Sequence, residues 1–123
     1  MADRTININI QNGSTSDVVV GPFSLTGQGQ WGTAPKQGDD IQEEQSGSYS
    51  EVCDNFVGPM GGSISFIALS GGGFTLTWDW SPPNGPTTSV TNNAGSSVTA
   101  TSSLQNVGSS SVTVFCQVAN ASS

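Results

Sequence analysis

Thr5-Ile6-Asn7-Ile8-Asn9-Ile10-Gln11 is the stretch that decides the fold. Isoleucine at every second position, with amides between, puts an apolar row on one side of an extended chain and a polar row on the other. A helix would scatter these residues around its axis, so the stretch reads as a half-buried strand. Asn12-Gly13 follows as a turn, and the pattern resumes over 17 to 26 with Val18, Val20, Phe23 and Leu25. Further strands are expected at 47 to 52, 63 to 69, 74 to 80, 87 to 91, 97 to 103 and 111 to 118. Gly71-Gly72-Gly73, Asn92-Asn93-Ala94-Gly95 and Asn106-Val107-Gly108 supply turns between them. About eight short strands at this spacing predict an all-β, single-domain antiparallel sandwich spanning 1–123, with at most one helical turn at 40 to 45.

Composition agrees. Gly, Ser, Thr and Asn are abundant, and the 123 residues suffice for one core. The formal charge is −7, with Arg4 and Lys36 the two basic residues. Neutralising phosphates takes several cations, so nucleic acid is excluded as a partner and anionic membranes are disfavoured. Neutral or zwitterionic partners fit.

The chain contains no histidine. This removes the usual general base, the usual zinc ligand and any Ser-His-Asp triad, so an enzyme is not expected. No cofactor or metal is expected either. Six carboxylates, Asp39, Asp40, Glu43, Glu44, Glu51 and Asp54, crowd one stretch without calcium-loop spacing, and read as a solvated acidic loop. Cys53 and Cys116 either pair or stay free; the start at Met1 has no apolar leader, which favours thiols and a protein soluble when made, released by a leaderless route if at all.

Aromatic side chains carry the functional signal. Phe66, Phe74 and Phe115 fall on strand centres and are expected in the core. Trp78-Asp79-Trp80 ends an alternating strand and runs into Ser81-Pro82-Pro83. Trp78 shares parity with Phe74 and Leu76, which leaves it between core and surface; Trp80 abuts the proline turn, where exposure is expected. Trp31 lies in the glycine-flanked stretch Gly29-Gln30-Trp31-Gly32-Thr33-Ala34-Pro35. An amphipathic ring suits a sugar face or a membrane interface. Burying one removes ~150–250 Å² from water, a gross gain of roughly 4–6 kcal/mol before ordering costs.

In sequence the chain resembles the aegerolysin family, most closely its short bacterial insecticidal members. The resemblance runs through the alternating isoleucines ending in Gln11-Asn12-Gly13-Ser14, then Val18-Val19-Val20 and Gly29-x-Trp31-x-Thr33-x-Pro35. It continues through Gly61-Gly62-Ser63-Ile64-Ser65-Phe66 and Trp78-Asp79 to the closing strands. In the family's usual order the proline follows closer on the aspartate; here Trp80 and Ser81 intervene. The resemblance implies a β-sandwich that binds membrane lipid, such as sphingolipid or sterol-rich domains, and recruits a larger pore-forming partner in a two-component cytolysin. It carries over Trp31, Trp78, Asp79 and Trp80 as lipid-facing candidates. The alternative from the same residues is a soluble lectin.

Overall fold

The computed structural model describes residues 3–121. Ten strands follow in order: β1 (Arg4–Asn12), β2 (Val18–Gly27), β3 (Gln30–Thr33), β4 (Asp40–Ile41), β5 (Ser46–Cys53), β6 (Met60–Ala68), β7 (Gly73–Trp80), β8 (Thr87–Asn92), β9 (Val98–Gln105) and β10 (Ser111–Asn120). They form two five-stranded sheets, ordered β3-β5-β1-β10-β9 and β4-β2-β6-β7-β8. The expected all-β sandwich is present. Its pairings are antiparallel except for β1 with β10, which run parallel from Thr5 opposite Ser111 to Asn12 opposite Val118.

Alternation explains the core. Ile6, Ile8 and Ile10 of β1 face inward against Val18, Val20, Ile64, Phe66, Leu76, Val114 and Cys116 from both sheets. Phe66 and Phe74 are cross-strand partners, stacked 4.9 Å apart. Phe115 is not in the core. Val112, Val114, Cys116 and Val118 take the inward positions of β10, so Phe115 falls on the outer face, half-buried. Pro22, which has no N–H for the ladder, sits where β2 shifts register between Val20 and Phe23. On one side the sheets are joined by a side chain: Asn92 Nδ2 donates to the Ala100 carbonyl at 3.1 Å, and its Oδ1 accepts from Ala100 N at 2.8 Å. An amide thus replaces a missing strand neighbour.

Two strands exceed the sequence expectation. Residues 30 to 33 form an edge strand on β5, and Asp40–Ile41 pairs with Val18 and Val19 where a helical turn was the limit expected. Strands this short carry too few residues for a period of two to show. Cys53 and Cys116 are both free and buried, and burial pushes the Cys116 thiol up to about 12.

Strand directions give the sandwich two distinct ends. One gathers the start of β1 with the β2–β3, β5–β6, β7–β8 and β9–β10 connections. The other gathers the β1–β2, β6–β7 and β8–β9 turns with residues 34 to 45. The first end holds the aromatic candidates.

Candidate functional site

β7 decides the placement of three candidates at once. Its inward positions are Phe74, Leu76, Trp78 and Trp80; Thr75, Thr77 and Asp79 point the other way. Trp78 is 2% exposed and presents no surface to a ligand. This corrects its candidacy as a lipid-facing ring: strand parity continues one residue pair further than the proline turn suggests. Its Nε1 donates to Glu51 Oε1 at 2.9 Å. Trp80, the next inward residue, is half-buried at the rim. Asp79 is exposed on the opposite face of the strand, where its Oδ1 accepts from Ser81 Oγ at 3.1 Å. The triplet is therefore split: two rings inward, the carboxylate outward.

Trp31 comes to the same end from the edge strand β3. It is half-buried, with its ring edge-on to Phe23 (5.6 Å, 80°) and to Trp78 (6.1 Å, 66°). The buried tryptophan acts as a floor for the accessible one. Such edge-to-face pairs favour one ring orientation.

Beneath these rings lie two ionisable residues that the sequence reading did not single out. Glu51 is fully buried, in contrast to the solvated loop expected for the acidic cluster; the other five carboxylates of that cluster are exposed. It shares inward parity on β5 with Tyr49 and Cys53. Gly61 N donates to its Oε2 at 3.2 Å. A Cβ on Gly29 would lie 1.9 Å from the same oxygen, so only glycine admits the carboxylate there. Burial pushes the Glu51 carboxyl up to about 7, against the opposing pull of the Trp78 and Gly61 bonds and of the Arg4 charge; Asp79 adds to the upward push.

Arg4 occupies the inward parity of β1, in line with Ile6, Ile8 and Ile10, and is 3% exposed. Its guanidinium carbon lies 4.9 Å from the Trp80 ring centroid. Nε donates to the Asn55 carbonyl at 3.0 Å, and Nη2 donates to the Gly58 carbonyl and to Cys53 Sγ. Nη1 is buried with no partner among the described residues. The signal for both residues was available, since each is a charged residue at the buried parity of its strand.

Arg4 thereby grips the loop between β5 and β6. Asn55 Oδ1 accepts from Val57 N at 3.1 Å and also from Gly58 N, while Asn55 Nδ2 donates to Gln28 Oε1 at 3.0 Å. Gln28 N donates to the Pro59 carbonyl at 2.7 Å. Gly27, at φ 75°, makes that approach possible, because a Cβ there would stand 2.3 Å from the Pro59 oxygen. Among the described residues, no group of three His, Cys, Asp or Glu side chains is placed to hold a metal ion.

This backbone matches solved structures closely. The structure of IP-1A from Alcaligenes faecalis superposes with a TM-score of 0.71, covering 98% of this chain and 94% of that one at 17% identity. RahU, solved with a TRIS molecule, gives 0.75 over 100% of this chain and 99% of its own at 16% identity. The fold is aegerolysin-like. The lipid-binding protein Nakanori also gives 0.75, covering 96% of this chain and 72% of that one at 13% identity. No protein-family model and no curated protein matches the sequence. At such identities the likeness speaks for the aegerolysin-like backbone and not for its ligands.

Proposed function

We propose that this aegerolysin-like protein binds membrane lipid, using the end of the sandwich that carries Trp31 and Trp80. The observation that carries the reading is Trp31: a partly exposed ring held edge-on by Phe23 and Trp78. A ring already ordered loses little conformational entropy on binding, so most of its burial is available as affinity. The likeness to a protein named for lipid binding supports the same reading. A formal charge of −7 favours zwitterionic headgroups over anionic ones, which fits sphingolipid in sterol-rich domains. Asp79, on the other face of β7, is a rim contact at most in this arrangement.

On this proposal the chain is the membrane-recognising half of a two-component cytolysin, recruiting a larger pore-forming protein at the target membrane. Cosedimentation with vesicles of phosphatidylcholine, sphingomyelin and cholesterol tests the lipid reading. The expected result is saturable binding that Trp31→Ala weakens by about tenfold or more. Saturable binding to free oligosaccharide, with no sedimentation on any vesicle, would replace the lipid reading with the lectin one.

A further inference from the structure

We propose that Phe56 and Val57 form an apolar wedge that enters the hydrocarbon boundary of a lipid bilayer. The proposal rests on the lipid-binding reading above and adds how the protein engages the bilayer beyond its headgroups. Phe56 is 64% exposed and Val57 75% exposed, at the tip of the β5–β6 loop. Two adjacent large apolar side chains turned to water make a small exposed apolar patch, here on a loop tied down by hydrogen bonds. Arg4 holds it from below by the carbonyls of Asn55 and Gly58, the Asn55 side chain caps the tip's own backbone N–H groups, and Gln28 ties its far side to Pro59.

Charge and position single out a bilayer as the occupant. The wedge lies at the same end as Trp31 and Trp80, and the guanidinium that grips its base also covers the Trp80 ring. Another exposed apolar residue, Val107 (59%), belongs to the β9–β10 connection at this end. Five of the nine acidic residues, Asp17, Asp39, Asp40, Glu43 and Glu44, lie at the opposite end. With Lys36 beside them the far end carries a formal −4, against −3 from Asp3, Glu51, Asp54, Asp79 and Arg4 at this end, so a molecule standing on the wedge turns its less acidic end to the membrane surface. Aromatic and aliphatic side chains on a polar rim are what an interface of headgroups and acyl chains accommodates.

The test uses the full chain and the same phosphatidylcholine–sphingomyelin–cholesterol vesicles. Val57→Cys carries an environment-sensitive dye; Cys53 and Cys116 are buried and escape labelling in the folded protein. The dye is expected to shift to the blue on binding and to be quenched by bromines on the acyl chains. Phe56→Ser with Val57→Ser is expected to weaken sedimentation by about tenfold or more at an unchanged unfolding midpoint. Leu69→Ser, at a residue equally exposed (65%) but at the other end, leaves binding unchanged. If wild type sediments but the double serine variant matches it and the dye stays in water, the wedge is overturned and lipid binding stands. If wild type sediments with no vesicle, both fall. A dimer in lipid-free solution that buries the dye and dissolves in the double serine variant would assign the tip to a second copy and overturn the wedge.

Discussion

The inward row of β1 begins with Arg4 and ends with Asn12, and the two ends of the sandwich handle these buried polar residues differently. At the far end, Asn12 is neutral and fully used. Its Nδ2 donates to the carbonyls of Ser16 and Ile41, both at 2.8 Å, and its Oδ1 accepts from Ser14 N at 3.0 Å and Ser14 Oγ at 2.6 Å. At the aromatic end, Arg4 keeps a buried Nη1 without a partner and Glu51 is held well above the usual carboxylate range. A satisfied neutral amide closes a fold; buried ionisable groups and partly covered rings add little to stability, and they gather at the end proposed to bind lipid.

The contrast can be broken most severely at Trp78. Trp78→Ala removes the floor under Trp31 and a donor to Glu51, and is expected to cost about 4 kcal/mol in denaturant unfolding. Trp78→Phe refills most of the volume and isolates the lost indole bond, at about 1–3 kcal/mol. At the other end, Asn12→Ala strands two carbonyls and Ser14, and should cost about 2–3 kcal/mol while leaving vesicle binding per folded molecule unchanged. A loss of binding there would deny that the two ends divide closure from recognition.

Glu51 sharpens the contrast through pH. Its carboxyl ionises around 4.5 when unfolded and at about 7 in the fold. The folded chain therefore keeps the proton longer. The stability this gives is complete below about pH 4.5 and is lost as pH rises through about 7, by roughly 3 kcal/mol. Unfolding midpoints measured from pH 4 to 8 should fall in that window, and Glu51→Gln should flatten the fall. A wild-type curve already flat there would show that Glu51 titrates normally. The smallest effect is expected at Glu44, held at φ 64° in a far-end turn. Glu44→Gly relieves a left-handed residue and should raise stability by up to about 1 kcal/mol, with binding unaltered.

Most of the fold was legible because it rests on alternation. The isoleucine row, the β2 row and the Phe66–Phe74 pair all took the expected faces. Phe115 lies at a strand centre, but position along a strand does not set the face; Val114 and Cys116 on either side claim the inward positions and leave it the outer one. The site was legible only in part. Trp31 and Trp80 came to the same end, but Asp79 did not join them, and Glu51 was hidden in a run of exposed acids.

The sequence alone determined which residues share a face, because a strand's period of two is a local property of the backbone. It thereby determined the sandwich, the charge and the absence of histidine chemistry. Only the tertiary structure decided which faces meet. The approach of β3 to β7 put Trp31 on Trp78, and the chain from β5 back to β1 put the apolar tip of 56 and 57 in the grip of Arg4. Those contacts join residues about fifty apart in the chain, and no local spacing encodes them.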